Sequence, residues 1–559
     1  MLPEKEWKIL NEDTSRSVID TILKNRDLPP HHMDPFKLSD RIHSPYLLPD
    51  IKKGVERILQ AIKRDEKILI YGDYDVDGIT STALMVYFFR KIDYPVEYIL
   101  PHREKDGYGL RVSGIKKIAE AGANLVITVD NGTSSNEAID YAAGLGIDVI
   151  VTDHHLQETE LPKAVAVINP NRKDSLYPFK TICAAVVAFK LIYALCEQLL
   201  STEEDYKVFL LSLLDLVAIG IIADVMPLRD ENYALVKFGL RALTNTRKPG
   251  LIELKKISGV NERSVTPISV GYFLSPRLNA SGRLEEATQS VELLITQSKE
   301  EAHKIAAYLD KLNRKRQLMS ADYLDFALDK LPVNKDELRK VIFVEHDEWQ
   351  AGLIGLISGQ LKERFTRPAF AFTRDEQGNY VGSARSIDSF HVTNALSRFN
   401  QYFLTYGGHQ KAAGLTVPAD KFKQFKDEFL DYAESIIDEK HLIPQLSIDS
   451  VVDIDQINLN TARNIQEIGP FGEGNPEPVL LIRKVKINDI ILLSQGKHLK
   501  LLIQKANQYY ECVWWNCGAY KDELRFGSLM DVAFRLNINN WQGTERLQLA
   551  MEDARFCDE

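Results

Sequence analysis

Three acids at alternate positions, Asp73, Asp75 and Asp77, follow the apolar run 67 to 72 (KILIYG) and precede Gly78, Ile79 and Thr80. In extended chain, residues i and i+2 project to one side, so the three carboxylates share a face. Such neighbours repel, and a bound cation relieves the repulsion. A calcium-type loop or a helix N-cap with surplus acids explains the pattern equally well, although the Glu that an EF-hand needs at loop position 12 is lacking. Asp130 closes a second apolar run, 125 to 129 (LVITV), and Asp153, His154 and His155 close a third, 148 to 152 (DVIVT). A lone strand-end aspartate is ordinarily a helix cap, whereas three acid-bearing strand ends argue for a shared site. Asp224 emerges from the apolar stretch LDLVAIGIIADVMPL and alone reads as a helix-terminal cap. Histidine among carboxylates favours Mn²⁺, Zn²⁺ or iron over Ca²⁺, with Mg²⁺ open where oxygen ligands predominate. Four segments therefore offer ligands for two ions sharing a bridging carboxylate, an arrangement suited to in-line displacement at phosphorus. The sequence has no P-loop, no Gly-rich dinucleotide fingerprint after the first strand and no serine elbow, which leaves hydrolysis by activated water as the reaction class.

These residues need elements that bring them to one place. Short β-rich runs at 67 to 72, 95 to 100, 125 to 129, 148 to 152 and 165 to 168 alternate with helix-like stretches at 79 to 92, 112 to 121 and 134 to 145. The alternation predicts a parallel, doubly wound α/β sheet, whose ligand site lies beyond the carboxyl ends of the strands. Two apolar helices are expected over 182 to 222 and a long connecting helix over 299 to 330, where Ile305, Leu309 and Leu312 fall at helical spacing. A second α/β set starts at 341 (VIFV), continues through 369 to 373 and ends near 440, after a helix around 419 to 438. Beyond the turn-rich GPFGEGNPEP (469 to 478), alternating runs at 479 to 486, 498 to 504, 509 to 515 and 530 to 538 predict a small β-barrel of the oligonucleotide-binding type.

A chain of 559 residues exceeds what one core organises; roughly three to five domains are expected. The N-terminus lacks a secretory pattern and no apolar run approaches a membrane span, so a cytoplasmic protein with no membrane attachment is expected. Five scattered cysteines argue against a disulfide framework, with Cys512 and Cys517 read as ordinary strand residues. A net charge of -10 excludes bulk electrostatic coating of duplex nucleic acid and leaves a local basic channel open. Arg483, Lys484, Lys486, Lys497, His498 and Lys500 lie near Tyr509, Tyr510, Trp514 and Trp515, a mixture that tracks a backbone and stacks on unpaired bases. Barrel alternation puts about half of those rings inside. Arg314, Lys315 and Arg316 on the long helix read as a solvated face.

The segments YGDYDVDGITST (71 to 82), VDNG (129 to 132), VTDHH (151 to 155) and GIIADVMPL (220 to 228) resemble, in order, the four motifs of the DHH phosphoesterase superfamily. PRLNASGRL (276 to 284), GSARS (382 to 386) and GGHQKAAG (407 to 414) resemble its associated DHHA1 substrate-binding domain. GPFGEGNPEP ahead of a barrel resembles the superfamily's single-strand-specific DNA exonucleases. The resemblance covers nearly the whole chain. It implies a doubly wound parallel-sheet DHH domain joined by a long helix to a second α/β domain, DHHA1, plus a C-terminal OB-type barrel. The expected bounds are an N-terminal segment 1–55, the catalytic domain 56–230, a helical connector 231–335, the substrate-binding domain 336–442 and the barrel 443–559.

By the same resemblance, two Mn²⁺ or Mg²⁺ ions are held by Asp75, Asp77, Asp130, His154 and Asp224, with Asp77 and Asp130 as bridging groups. Asp130 and His155 are the catalytic residues, His155 facing the scissile phosphate. Relatives carry a histidine four residues before the first acid pair, where this chain has Tyr71, so Asp73 either takes over as a ligand or supports the site. Arg103, Ser383 and Arg385 resemble the pocket for a terminal 5′ phosphate, and His409 a further phosphate contact. Arg277, Asn279 and Arg283 have the same chemistry, or form interdomain ion pairs. Lys484, Lys486, Lys497 and Lys500 are the expected nucleic-acid contacts on the barrel. The implied function is a 5′ to 3′ exonuclease of single-stranded DNA in recombination and repair. The implied protein is a monomer and works beside single-strand-binding protein and a DNA helicase. The alternatives are a DHH hydrolase of short oligoribonucleotides or cyclic dinucleotides, whose chains lack the barrel, and a replication scaffold, whose ligands would be lost.

Overall fold

Strands rich in Val, Ile and Leu form a fully parallel sheet: β1 (Ile68–Tyr71), β2 (Glu97–Ile99), β3 (Leu125–Val129), β4 (Asp148–Thr152) and β5 (Ala166–Ile168). Their spatial order is β2-β1-β3-β4-β5. The computed structural model of the chain describes residues 5–29, 32–103, 106–107, 109–157, 159–260, 264–332, 337–541 and 544–557. Ile68 and Ile70 face one core layer, Leu69 and Tyr71 the other, which is the period-2 signature of a sheet covered on both faces. Chain order reverses between β1 and β3. At such a switch point the crossovers leave by opposite faces and open a crevice at the strand ends.

Three helices, α1 (Val76–Lys91), α2 (Ala184–Leu199) and α3 (Glu203–Ala223), share the layer that receives Ile68 and Ile70. The expectation that no apolar run reaches membrane length is corrected by α3. Its 21 residues include a window of mean hydropathy 2.1, long and apolar enough to cross a bilayer by composition. Here α3 packs against α1, α2 and the helix Asp230–Thr244, and that burial accounts for the apolar run from Leu213 to Ile221, whereas Val208 and Leu211 are exposed. A connector follows with α4 (Ser275–Leu284) and the long α5 (Lys299–Asp329). Ile305, Leu309 and Leu312 of α5 belong to the catalytic core, while Ala327 belongs to the core of the next domain, so one continuous helix is a strut shared by both.

The second sheet comprises β6 (Ile342–Glu345), β7 (Ala369–Arg374), β8 (Tyr380–Arg385), β9 (Thr405–Gly408) and β10 (Ala412–Val417), in the order β9-β10-β8-β7-β6. The helix α6 (Ala351–Phe365) covers one face and Ala419–Ile436 the other. Five further strands close a barrel: β11 (Leu480–Leu493), β12 (His498–Lys505), β13 (Gln508–Trp514), β14 (Leu529–Trp541) and β15 (Thr544–Phe556). The expected runs omitted β15, whose charges hide the alternation of Leu547, Leu549 and Met551. Cys517 is not a strand residue but precedes the short 3-10 helix Gly518–Glu523.

The N-terminal described residues, from Glu6 on, pack with the barrel. Glu6–Ile9 pairs in parallel with Gln445–Ile448, and Val18, Ile19, Ile22 and Leu23 enter the barrel-side core. The segment GPFGEGNPEP then docks the barrel on the catalytic domain. Leu228 N donates to Glu473 O (2.7 Å), Arg229 Nε to Gly474 O (2.7 Å) and Tyr233 Oη to Gly469 O (3.0 Å).

Beneath this junction Lys190 Nζ and a Glu231 carboxylate oxygen meet at 2.6 Å with both side chains fully buried, and Tyr177 Oη donates to the other Glu231 oxygen at 2.6 Å. Removing one member of a buried pair strands the other charge. Lys190→Met should therefore destabilise the catalytic domain by about 3–5 kcal/mol in chemical denaturation; a loss below about 1 kcal/mol would show the pair to be dispensable.

Candidate metal centre

Each acid is placed by a different device. Asp75 is the N-cap of α1 and accepts from the backbone N–H groups of Asp77 (3.0 Å) and Gly78 (3.1 Å). A Cβ at position 78 would lie 2.7 Å from the backbone nitrogen of Asp73, so the loop can fold back on itself only with glycine there. Asp77, one residue into the helix, is held by the N-terminus of α2, accepting from Ala184 N (2.6 Å) and Ala185 N (2.9 Å). Asp130 sits in the left-handed region (φ 66°), which aspartate tolerates better than most residues. Its turn is tied to β1 by Asn131 Nδ2 donating to Gly72 O at 3.0 Å. Asp224 is the C-cap of α3.

These side chains converge at the switch point. His154 Nε2 lies 3.2 Å from Asp130 Oδ1 and 3.7 Å from both Asp77 Oδ2 and Asp224 Oδ2. Ligand atoms of Asp77, His154 and Asp224 lie within 4.8 Å of one another, and so do those of Asp73, Asp75 and Asp130. Asp130 also groups with His154 and His155, which places it between the two sets. Asp73 is thus inside the acid cluster and not behind it.

The electrostatics of this cage favour a cation. Burial, reinforced by the neighbouring carboxylates, lifts Asp73, Asp130 and Asp224 well above the usual carboxylate range. Asp77 rises to about 6, by burial first and the Asp75 charge second. His154 falls to about 4 through burial and its neighbour His155, leaving a neutral imidazole ready to ligate. Among the described residues, Asp73 Oδ1 and Asp224 Oδ2 are buried with no hydrogen-bond partner. The donor set, hard oxygens with one imidazole, fits Mn²⁺ or Mg²⁺.

The first acid of VTDHH has a different place. Asp153 accepts from the backbone N–H groups of Thr133 (2.9 Å), His154 (2.7 Å) and His155 (3.1 Å), and its Oδ1 meets His155 Nδ1 at 2.7 Å. Burial pulls the basicity of His155 down, but the charge and hydrogen bond of Asp153 outweigh it and lift His155 to about 9. Asn169 Nδ2 donates to His155 O (2.8 Å) and Asn171 Nδ2 to His154 O, holding the two-histidine loop from beyond β5. The polar INPN (168 to 171) after an apolar strand is the sequence signal for these asparagines, which the expected site residues do not include.

Opposite the acids stands a wall of guanidinium groups. Arg103 lies over the Tyr74 ring at 5.1 Å. Arg283 is pushed down to about 9 by burial and then by Arg103, Arg316 and Arg385, which fixes those four as neighbours. Among the described residues none of the four has a carboxylate partner: Arg283 donates to Gly352 O (3.1 Å) and Arg385 to Ala384 O (3.0 Å). Ser383 and Arg385 face Gly355 of α6. Asn279, Arg283 and Arg316 line a groove of about 430 Å³ whose other wall includes Met226, Tyr272 and Phe471. Arg316 is not on the expected solvated face, whereas Arg314 and Lys315 are exposed. Its place is legible in the helical period: 309, 312, 313, 316 and 320 form one stripe. Arg277 stands apart, in an ion pair with Asp310 (2.8 Å). His409 joins His155, Asp153, Arg111 and Tyr406 around a cleft of about 1060 Å³ between the two α/β domains. On the barrel, Lys484, Lys486 and Lys497 are exposed and Lys500 pairs with Glu511 (2.8 Å). Tyr509 and Trp515 face outward, whereas Trp514 is in the core.

Comparison with known proteins adds a consistent result. Residues 67–221 match the DHH family, N-terminal domain, 338–437 the DHHA1 domain and 448–553 the RecJ OB domain. The single-stranded-DNA-specific exonuclease RecJ of Haemophilus influenzae is 33% identical over the full length of both chains. That of Bacillus subtilis is 35% identical over 92% of this chain, which spans 64% of the Bacillus protein. The crystal structure of RecJ from Thermus thermophilus in complex with Mn²⁺ superposes with a TM-score of 0.84 at 26% identity, covering 99% of this chain and 80% of that one. Its Mg²⁺ complex gives 0.78 at 25% identity, over 99% and 79% of the two chains.

Asp153 orients both histidines through one carboxylate, and loss of such a support typically costs about 10–100-fold. Asp153→Asn should reduce phosphodiester hydrolysis by about that factor. In NMR titration of the metal-free variant, His155 should fall from about 9 toward 6.5. Unchanged activity together with an unchanged His155 would remove Asp153 from the site.

Proposed function

The chain belongs to the RecJ family of single-stranded-DNA-specific exonucleases, and from that premise we propose how its residues divide the work of hydrolysing a phosphodiester with Mn²⁺ or Mg²⁺ as cofactor. The observation that carries the reading is the juxtaposition of the buried acid cage with guanidinium groups that have no carboxylate partner among the described residues. One side is built for cations and the other for phosphate, and a phosphodiester is the substrate that satisfies both.

Asp77, His154 and Asp224 would hold one ion and Asp73 and Asp75 a second, with Asp130 placed between the two sets. Bound divalent ions supply Lewis acidity that ionises the attacking water and neutralises charge on phosphoryl oxygens. His155, fixed by Asp153 through Nδ1, presents positive charge to the phosphoryl oxygens. Arg103, Ser383 and Arg385 clamp the terminal 5′ phosphate, with His409 as a further contact, and this sets 5′ to 3′ polarity. Asn279, Arg283 and Arg316 contact the next phosphates. Arg277 only braces α5. Lys484, Lys486, Lys497 and Lys500 of the barrel engage upstream strand beside Tyr509 and Trp515. The working units are 56–230 for catalysis, 231–335 as connector, 336–442 for the substrate end and 443–559, with the N-terminal strand of segment 1–55, for upstream DNA. The enzyme acts in the cytoplasm as a monomer in recombination and repair, with single-strand-binding protein and a helicase as partners. The barrel disfavours a hydrolase of short oligoribonucleotides or cyclic dinucleotides, and the complete acid set disfavours a scaffold.

Digestion of end-labelled single-stranded DNA and RNA with Mn²⁺ or Mg²⁺ tests polarity and substrate together. Ordered release of mononucleotides from the 5′ end of DNA is expected; release from the 3′ end, or equal cleavage of RNA, would contradict the phosphate-pocket assignment. Asp130→Asn, which keeps a residue tolerant of the left-handed backbone, should lower turnover by about a thousandfold or more with little change in the thermal midpoint, and an active variant would sink the shared-ligand role.

A further inference from the structure

Away from the catalytic cleft, a cavity of about 420 Å³ opens where the N-terminal segment, the catalytic domain and the docking turn meet. Arg26, Arg41 and Arg229 line it together with His32, Phe179 and Tyr233. Arg26 is built into the wall, with Nη1 donating to Asn475 Oδ1 (2.7 Å) and Nη2 near Asp449 (3.4 Å). Arg229 spends Nε on Gly474 O (2.7 Å) and leaves the rest of its guanidinium exposed. Arg41 rests over the Phe36 ring at 4.8 Å. Lys237 Nζ is 3.0 Å from Tyr233 Oη, and Arg241 adds a fifth cation over Phe238.

Among the described residues, Arg41, Arg229, Lys237 and Arg241 have no carboxylate within ion-pair distance. The acids nearby are Asp27 and Asp230 on the cavity wall, Asp230 being paired with His43 at 2.7 Å, together with Asp449 and Glu467. Cations crowd here: burial, with Arg229 beside it, lowers Arg26 against the pull of Asp449, and burial, with Arg241 and Arg41, lowers Lys237 against the pull of Glu467. In a chain of net charge -10, such crowding calls for an anion. The rings identify its class. Tyr233 meets His32 with centroids 4.5 Å apart and the rings tilted by 45°, and Phe179 supplies a further apolar wall. Cations beside aromatic faces are the pairing that binds a phosphate with its base, and the volume lies in the range of small-ligand sites.

We propose that this pocket is a second nucleotide-binding site, outside the cleft that cuts, taking one phosphorylated nucleotide unit with its phosphate on Arg41 and Arg229 and its base against Phe179 and Tyr233. The unit comes either from strand beyond the cleaved end or from free mononucleotide. The site goes beyond the exonuclease reading and rests on it only for the choice of probes. Turnover of a very short substrate tests that reading on its own.

The test uses the metal-loaded 559-residue protein, the variant Arg41→Ala, whose side chain is partly exposed and takes no part in the docking turn, and the double variant Arg41→Ala/Arg229→Ala, which also loses the docking bond to Gly474. The substrates are 5′-phosphorylated tetrathymidylate and an oligothymidylate of about 30 nucleotides. If flanking strand fills the pocket, KM for the long substrate rises about tenfold and its log–log salt slope shrinks by about 0.7 for the one lost phosphate contact, with kcat and the short substrate unchanged. If free nucleotide fills it, titration calorimetry with thymidine 5′-monophosphate loses one binding event in the variant while both substrates behave as before. Arg41→Lys/Arg229→Lys, which keeps the charge, stays close to the parent protein in both arms. No change in any arm overturns the proposal. An equal loss on both substrates also overturns it, because the arginines would then serve the catalytic cleft.

Discussion

Like charge, concentrated where water is scarce, is the constraint around which the catalytic half is arranged. Five carboxylates surround one neutral imidazole at the end of a parallel sheet. Each close pair repels by about 4 kcal/mol at the effective dielectric of a protein surface, and more when buried. Asp75 and Asp77 are eased by helix N-termini, but Asp224 stands at the C-terminal end of α3, where the helix dipole adds to the repulsion. A carboxylate so placed destabilises the fold unless a cation shares the space. The tethers on Asp77 and the Asn131–Gly72 hydrogen bond beneath Asp130 act against the tendency of the cage to fly apart.

The opposite charge lies across the crevice. Arg103, Arg283, Arg316 and Arg385 come from a loop, the connector, the long helix and the second sheet, and they meet because α5 is rooted in the cores of both α/β domains. A strut of this kind fixes the distance between cation site and phosphate site, which in-line chemistry requires. The glycine at 282 serves the same end, since a Cβ there would lie 2.3 Å from Tyr74 O and push α4 off the acid loop. On the far side, the backbone carbonyls of the docking turn 469–478 accept from Leu228 N, Arg229 Nε and Tyr233 Oη, so the barrel has a defined position relative to the cleft.

Much of this was legible in the sequence because the informative signals are local. Alternate acids after an apolar strand, a glycine where the loop doubles back and acid-bearing strand ends are short patterns with one geometric meaning each. The two apolar helices before Asp224 and the long connector were readable from the 3.6-residue period. The doubly wound sheet, the second α/β domain and the barrel stand as expected. What stayed hidden depends on tertiary partners. The inward turn of Arg316 was masked by its two solvated basic neighbours, and the pairing of Arg277 with Asp310 needed α4 and α5 to meet. Strand β15 reads as charged because only alternate residues face the barrel core. The alliance of the N-terminal described residues with the barrel spans almost the whole chain, a distance at which no local pattern operates. Composition also misled, since α3 is apolar enough to span a membrane and owes that character to packing among helices.

The central claim is that the acid cage exists to hold two divalent ions that share Asp130. Anomalous X-ray scattering from crystals of the protein equilibrated with Mn²⁺ addresses it most directly. The account predicts two manganese peaks, one among Asp77, His154 and Asp224 and one among Asp73 and Asp75, with Asp130 in contact with both. A single fully occupied peak, or a second one outside the reach of Asp130, would contradict it.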